Sequence, residues 1–277
     1  MRRRVNNEYK ERSHYNMGGH SIRRISEDVI TKNIWTDPVV RVHEEKTDPP
    51  AEALALQLVA SSTTIPVPSM RRVIFRDGCK CIVMDYIEGT SLASVWPNLS
   101  LWSKFKIAWT IRRYIQQLRC IRSPRSFIPG QLGLGMKPKF CRGAVFALRH
   151  RGPFPDYASL STFMNERLAM TIDLYERQFA TFHGSRAPFD DSEPLVFTHH
   201  DLSMRNFLVG ADGRIWLIDF SLSGFYPPYF EYFGMCYTAV ESQSPKSWRY
   251  LIPLMAGPYF WQREWLKHNR FALAWYE

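Results

Sequence analysis

The segment 198–220 constrains the fold of this chain more than any other part of its sequence, because short apolar runs and polar residues alternate there in a strict order. The apolar runs 207–209 and 215–218 flank Gly-Ala-Asp-Gly, a combination that predicts a β-hairpin. Closing this hairpin returns Asp219 toward Asn206. Two side chains with hard oxygen donors would then meet in one place, which suits a divalent cation such as Mg²⁺.

The residues just before the hairpin supply a further carboxylate. Leu195–Thr198 is a short apolar run that predicts a strand ending in an exposed loop, and Asp201 lies in this loop. Phosphoryl transfer needs a carboxylate beside the acceptor hydroxyl and oxygen ligands that hold Mg²⁺ against the phosphates. Asp201 can be the former, and Asn206 and Asp219 can be the latter. The segment therefore predicts a kinase of small molecules.

The order His-x-Asp-Leu, Asn and Ile-Asp-Phe resembles the catalytic core of the aminoglycoside phosphotransferase and choline kinase group, a branch of the protein-kinase-like fold. The run 224–232, Gly-Phe-Tyr-Pro-Pro-Tyr-Phe-Glu-Tyr, is most similar to the fungal members of the group. The resemblance implies that Asp201 is the catalytic base or orients the acceptor. It also implies that Asn206 and Asp219 bind Mg²⁺, and that His199 is a scaffold residue.

The resemblance further implies an α+β fold of two lobes, with a small β-rich N-terminal lobe and a larger, mainly helical C-terminal lobe. We assign residues 1–17 to a poorly ordered basic tail, 18–88 to the nucleotide lobe and 89–277 to the catalytic and acceptor lobe. The N-terminal lobe is predicted to be truncated, since only Gly18-Gly19 precedes its first strand and could form the group's glycine-containing phosphate loop.

Two hairpins and a helix are predicted in the N-terminal lobe. Residues 21–25 and 29–32 flank a polar turn, and Lys32 is similar to the lysine that contacts phosphate in kinase-like proteins. A helix is predicted after Pro49-Pro50, where Glu52 would fix this lysine as in the group. An exposed lysine at a strand end and a first-turn acid favoured by the helix dipole are the simpler alternatives.

The second hairpin pairs residues 73–75 with 81–86 and leads into Met-Asp-Tyr-Ile-Glu-Gly, which resembles the segment that joins the two lobes. In the group, backbone atoms of this segment bind the adenine of ATP. Asp85 and Ile87 are therefore the predicted adenine contacts.

Two long amphipathic helices are predicted at 101–121 and 160–182, with a loop rich in Gly and Pro between them at 124–155 that could cover the acceptor. Beyond residue 222 there are sixteen aromatic residues, but only four acids against five Lys and Arg. Because an aminoglycoside is a polycation, its pocket should be rich in acids. The acceptor is therefore predicted to be a less charged hydroxyl compound that stacks on aromatic rings.

Some of these residues have more specific predictions. Tyr226, Tyr229, Trp261 and Trp265 are candidates for lining the acceptor pocket, although packing in the core would explain many of the aromatics. Glu231 is predicted to be structural, since the corresponding acid in the group holds the backbone of the catalytic loop.

The net charge of +10 suits an anionic ligand such as ATP, although contact with nucleic acid or a membrane surface would also explain it. Because the basic residues are scattered, we expect no nucleic-acid partner and no membrane partner. Five cysteines without C-x-x-C spacing fit a reducing, cytoplasmic location. A monomer or weak dimer is expected.

The leading hypothesis is transfer of phosphate from ATP, with Mg²⁺, to a hydroxyl group of a small molecule. A catalytically weak or inactive kinase-like binding protein is the alternative, favoured by the short N-terminal lobe. A protein kinase is a third possibility, opposed by the run 224–232 and by the lack of an Ala-Pro-Glu motif.

Overall fold

The computed structural model describes residues 20–35, 47–76, 79–179 and 181–275. The predicted tail 1–17, the Gly18-Gly19 pair and the turn residues Asp77 and Gly78 lie outside the described residues. The predicted truncation of the N-terminal lobe and its boundary at residues 88 and 89 therefore stay predictions.

An antiparallel sheet of four strands in the order β1-β2-β4-β3 forms the small lobe, together with one helix. Its elements are β1 (His20–Arg24), β2 (Val29–Trp35), α1 (Ala51–Ser62), β3 (Met70–Arg76) and β4 (Cys79–Asp85). Both predicted hairpins and the predicted helix are present. The pairing of Lys32 on β2 with Ile82 on β4 places the lysine in a central strand of the sheet.

Helix α1 begins directly after Pro50, whose fixed φ suits the start of a helix, and it ends where the N–H of Thr63 bonds to the carbonyl of Val59. Its buried face carries Ala53, Leu56 and Val59. It also carries Glu52, which is 3 % exposed. A buried acid on this apolar face needs a partner in the sheet.

The larger lobe is mainly helical, with two sheets of three strands each, ordered β5-β8-β9 and β6-β10-β7. Its strands are β5 (Gly89–Ser91), β6 (Gly130–Gln131), β7 (Val196–Thr198), β8 (Phe207–Gly210), β9 (Ile215–Leu217) and β10 (Gly224–Tyr226). Its helices are α2 (Leu92–Val95), α3 (Leu101–Cys120), α4 (Tyr157–Phe179), α5 (Pro228–Glu241), α6 (Lys246–Ala256) and α7 (Phe260–Trp275).

Helix α3 shows why the sequence pattern predicted these helices well. Ser100 caps its first turn by accepting a hydrogen bond from the N–H of Ser103, and its core face carries Ala108, Ile111, Ile115 and Leu118 at helical spacing. Within the described part of the chain, no helix is both long enough and apolar enough to cross a bilayer.

The predicted loop 124–155 is more ordered than its composition indicated. It contains β6 and a 3-10 turn at Ala144–Phe146, and β6 pairs with β10, with Gly224 opposite Gln131. The contact requires a glycine, because a Cβ on Gly224 would lie 2.1 Å from the carbonyl oxygen of Gly130. The segment is therefore fixed to the strand that follows the predicted catalytic region.

Candidate active site

The loop after β7 is held by a buried histidine. The Nδ1 atom of His199 accepts a hydrogen bond from the N–H of Asp201 (3.3 Å), and its Nε2 atom donates to the carbonyl of Ile218 (3.0 Å). Burial lowers the pKa of His199 to about 4, so the ring is neutral near pH 7. The predicted scaffold role of His199 is confirmed, and this ring ties the loop to the end of the hairpin.

A second support comes from α5. Glu231 is 1 % exposed, and its carboxylate accepts hydrogen bonds from the N–H of His199 (2.6 Å) and the N–H of His200 (3.0 and 3.1 Å). Burial raises the pKa of Glu231 to about 7. His200 has a φ of 65°, so the loop passes through a left-handed turn at the point that Glu231 holds. The predicted structural role of Glu231 is confirmed.

Asp201 and Asn206 lie against each other within this loop. The Nδ2 atom of Asn206 donates to the backbone carbonyl of Asp201 (2.7 Å) and to its Oδ2 atom (3.0 Å). Burial, and after it the charge of Asp219, raise the pKa of Asp201 to about 6. The N–H of Ile218 bonds to the carbonyl of Asn206 (3.0 Å), so the predicted hairpin returns the chain to this loop.

Lys32 joins the two lobes through two ion pairs, of which the one with Glu52 is fully buried and the one with Asp219 is partly exposed. Its Nζ atom lies 2.8 Å from Oε2 of Glu52 and 2.8 Å from Oδ1 of Asp219. Burial opposes the charge of Lys32, but the ion pairs outweigh it and raise its pKa. The simpler alternative of an exposed lysine at a strand end is therefore wrong, because Lys32 is almost fully buried within β2. Glu52 does lie in the first turn of α1, but it is also paired with Lys32.

Asp219 differs from these two residues because 37 % of its side chain is exposed. Burial alone would raise its pKa, but the ammonium group of Lys32 holds the pKa below its ordinary value, so Asp219 is a carboxylate at neutral pH. Its φ of 64° is left-handed, a strained conformation for a residue other than glycine that is often found at functional sites. Asp219 is thus an ionised group directed toward solvent between the lobes.

The donor set at this place fits Mg²⁺. Because the amide nitrogen of Asn206 is engaged with Asp201, its oxygen is the end left to face a cation. The bond from the N–H of Ile218 to the carbonyl of Asn206 brings the backbone next to Asp219 to the same loop. Mg²⁺ commonly takes one or two protein oxygens, with phosphate oxygens and water completing six ligands. Among the described residues, no cluster of three or more His, Cys, Asp or Glu could hold a metal by itself.

In the segment between the lobes, hydrogen bonds within the protein already occupy some of the groups of Asp85, one of the predicted adenine contacts. The carboxylate of Asp85 accepts from Nε of Arg71 (2.7 Å), and the N–H of Asp85 donates to the carbonyl of Ser69 (3.0 Å). These bonds leave the carbonyl oxygen of Asp85 and the backbone of Ile87 for adenine. The roles of both residues stay predictions.

Three of the four aromatic candidates for the acceptor pocket are core residues, which corrects that expectation. Tyr226, Tyr229 and Trp265 are at most 3 % exposed, and they pack with Phe230 in a second hydrophobic cluster of the large lobe. Aromatic side chains pack at these positions because α4, α5 and α7 meet here. Only Trp261, at 47 % exposure, is open to a ligand.

Sequence reasoning missed two contacts of the segment 124–155. Gly143, with a φ of 135°, approaches the ring of His200 so closely that a Cβ would lie 2.8 Å from it. Lys139 forms a buried ion pair with Asp48 (3.0 Å), which precedes α1 in the small lobe. The residues of the ion pair are 91 positions apart. No local pattern could have revealed this ion pair, although Gly143 and the excess of Lys and Arg in the segment are visible in the sequence.

The comparisons with known proteins agree with this geometry. Residues 144–274 match the model of the phosphotransferase enzyme family, APH. The predicted resemblance is confirmed. The range contains the loop with Asp201, the hairpin with Asp219 and the supporting Glu231, and the match confirms the prediction of a phosphotransferase. No curated protein matches the chain.

Solved structures of phosphotransferases are similar to the whole chain. Spectinomycin phosphotransferase APH(9)-Ia, in complex with ADP and spectinomycin, is 12 % identical with a TM-score of 0.52, and the match covers 93 % of this chain and 78 % of that one. Aminoglycoside-3'-phosphotransferase of type VIII is 15 % identical with a TM-score of 0.52, covering 92 % and 93 %. Choline kinase LicA from Streptococcus pneumoniae is 13 % identical with a TM-score of 0.49, covering 95 % and 81 %.

The first two likenesses confirm the predicted two-lobed, protein-kinase-like α+β fold. The special similarity to fungal members stays a prediction.

Proposed function

We propose that this chain transfers the γ-phosphate of ATP to a hydroxyl group of a small molecule. The observation that carries the proposal is the pair of ion pairs made by Lys32, which brings a cation from the small lobe to Asp219 beside the Asp201–Asn206 pair. Phosphoryl transfer depends on positioning and charge stabilisation. Lys32 supplies a cation, Asn206 and Asp219 supply two oxygen ligands, and Asp201 supplies a base.

Each residue has a separate role in this proposal. Lys32 contacts the phosphates of ATP, and Glu52 keeps its ammonium group in place. Asn206 and Asp219 would hold Mg²⁺, which neutralises phosphate charge when it is bound. Asp201 accepts or orients the proton of the acceptor hydroxyl, and its raised pKa of about 6 still leaves it mostly ionised at pH 7.

The acceptor is proposed not to be a polycationic aminoglycoside. The segment 124–155, which packs on the catalytic loop through Gly143, contains six Lys and Arg and no acid. Beyond residue 222, Glu231 is buried on the backbone of the loop and Glu264 is paired with Lys267. A surface with this balance of charge repels a polycation, since like charges brought together across an interface oppose binding.

The test is phosphate transfer from labelled ATP to a panel of hydroxylated metabolites, with kanamycin assayed in parallel. Asp201→Asn should lower turnover by about 10²–10⁴-fold, because the carboxylate that orients the hydroxyl proton is lost. Asp173→Asn, a carboxylate on α4 that is 52 % exposed and paired with Arg177, is the control and should keep the wild-type rate. Efficient phosphorylation of kanamycin would contradict the proposed acceptor class.

The same experiment separates the proposal from an inactive binding protein. A kinase should hydrolyse ATP slowly without an acceptor, and this rate should fall in Asp219→Asn, which lacks the proposed ionised metal ligand. A thermal shift with ATP and Mg²⁺ but no hydrolysis above background would favour the binding protein instead.

A further inference from the structure

An exposed stack of aromatic rings lies on the outer side of α3, away from the candidate active site residues described above. Trp102, Phe105 and Trp109 are 63 %, 41 % and 49 % exposed. The rings of Trp102 and Phe105 lie 5.8 Å apart with an interplanar angle of 11°, and those of Phe105 and Trp109 lie 6.4 Å apart at 23°. Spacings of three and four residues place them in one stripe along the helix.

The core does not need these rings. Helix α3 already buries Ala108, Ile111, Ile115 and Leu118 on its opposite face. Leu101, at the start of the helix, adds an aliphatic side chain that is 80 % exposed. A contiguous apolar stripe of this kind on the surface of a folded protein commonly marks an interaction site.

The stripe is surrounded by positive charge. Lys106, Arg112 and Arg113 lie within one helical turn of Trp102 or Trp109, and α3 contains no acid. Lys106 lies over the ring of Trp102 at 5.3 Å, and Arg112 lies over that of Trp109 at 6.0 Å. The other two basic residues of α3 are directed elsewhere, since Lys104 lies over the ring of Trp96 and Arg119 donates to the carbonyls of Pro228 and Ala256.

The positive charge distinguishes between the partners that could bind to such a surface. A second copy of the chain would bring Lys106, Arg112 and Arg113 against the same three residues, which opposes a symmetric dimer through this face. Single-stranded nucleic acid stacks its bases on open ring faces. Here the faces of Phe105 are covered by the two tryptophans, whose own faces also meet Lys106 and Arg112.

We propose that the α3 aromatic face, defined as Leu101, Trp102, Phe105, Trp109 and the lysine and arginine side chains around them, docks on an anionic lipid surface. Tryptophan is favoured at the boundary between headgroups and acyl chains, and neighbouring lysine and arginine are attracted to anionic headgroups. The contact is peripheral, with the opposite side of the helix remaining in the protein core. This proposal departs from the expectation of no membrane partner. That expectation was based on the scatter of basic residues along the sequence.

The test is sedimentation of the protein with two kinds of vesicle. One kind contains phosphatidylcholine alone, and the other contains phosphatidylcholine and phosphatidylserine at three to one. With about one anionic lipid in four, the second kind has a strongly negative surface. Binding should require phosphatidylserine, weaken in high salt, and fall by about tenfold or more in Lys106→Glu/Arg113→Glu, two basic residues within one helical turn of the rings. Binding of Trp102→Ser/Trp109→Ser to the vesicles should fall by a similar factor, because this variant lacks the inserted rings but keeps the core. The matched controls are Trp261→Ser, at 47 % exposure, and Arg72→Glu/Arg76→Glu on β3, which should bind like wild type.

Several results would overturn the proposal. One is the absence of sedimentation with the anionic vesicles, and another is equal binding by wild type and both α3 variants. Tighter binding to an oligo(dT) probe than to vesicles, lost in the same variants, would assign the face to nucleic acid. A dimer in analytical ultracentrifugation that Trp102→Ser/Trp109→Ser dissolves would assign it to a second copy.

Discussion

Replacing Lys32 by methionine should destabilise the protein mainly through the residue it leaves behind. Methionine fills similar space without charge, so Glu52 stays buried at 3 % exposure and loses its cation. Asp219 loses the same partner, but 37 % of its side chain is exposed and water can solvate it. Removing one member of a buried pair costs about 3–5 kcal/mol, and nearly all of that penalty should arise at Glu52.

This reasoning makes a second variant informative. Lys32→Met/Glu52→Leu removes both charges of the buried pair, and such replacements are close to neutral or stabilising in other proteins. The double variant should therefore recover most of the free energy of unfolding that the single variant loses. Both variants should lack kinase activity, since neither has the cation that would contact the phosphates.

The pH dependence of Lys32→Met follows from the same buried acid. Burial is the main cause that raises the pKa of Glu52, and without Lys32 nothing in the pair lowers it again. The folded single variant therefore binds a proton more tightly than the unfolded chain, so its stability should increase as the pH falls toward the ordinary pKa of a glutamate. The wild type should not share this gain in full, because its Glu52 is paired.

Urea unfolding of both variants and the wild type at several pH values measures these differences. Lys267→Met is the matched control, because its partner Glu264 is 48 % exposed and such pairs contribute at most about 1 kcal/mol. The reasoning is refuted if Lys32→Met loses less than about 1 kcal/mol. It is equally refuted if adding Glu52→Leu makes the protein less stable than the single variant.

Two other predictions concern the supports of the catalytic loop and of β6. Glu231→Gln keeps the shape of the side chain but turns one acceptor into a donor facing a buried N–H, which should lower kcat by about tenfold; a steady-state rate equal to wild type would contradict this. Gly224→Ala should cost about 1–3 kcal/mol or more in thermal unfolding, because its Cβ would collide with the carbonyl of Gly130. Gly234→Ala, with only one atom within 4 Å, at 3.6 Å, should instead be neutral or stabilising, and equal effects at both glycines would contradict the packing argument.

The local parts of the fold were predictable because each has a signal within a few residues. The hairpin of β8 and β9 is encoded by Gly-Ala-Asp-Gly between two apolar runs, and it returns Asp219 to the loop of Asp201 as expected. Helix α3 has its cap and its apolar spacing in sequence. Such elements are fixed by turn chemistry and periodicity, which a single sequence carries.

Aromatic residues of the larger lobe were harder to interpret, because composition does not say which face of an element a ring occupies. Tyr226 and Tyr229 follow the segment 198–220, which contains the candidate catalytic residue Asp201. They nevertheless lie in the core between helices that are distant in sequence. Three exposed rings lie instead on α3, which its apolar spacing had predicted only as an amphipathic helix. A helix with apolar residues on both sides satisfies the same periodic pattern, so only the packed neighbours distinguish the two faces.

Contacts between the lobes show the same limit for charged residues. Lys32 and Asp219 are 187 positions apart, and Asp48 and Lys139 are 91 apart, so neither pair leaves a local pattern. The first pair could be anticipated only from the family resemblance, which also named Glu52. No family resemblance predicted the pair of Asp48 and Lys139. This pair connects the residues before α1 to the segment 124–155, which packs on His200. Because α1 carries Glu52, which pairs with Lys32, the Asp48–Lys139 ion pair is a second connection between the lobes beside that of Lys32 with Asp219.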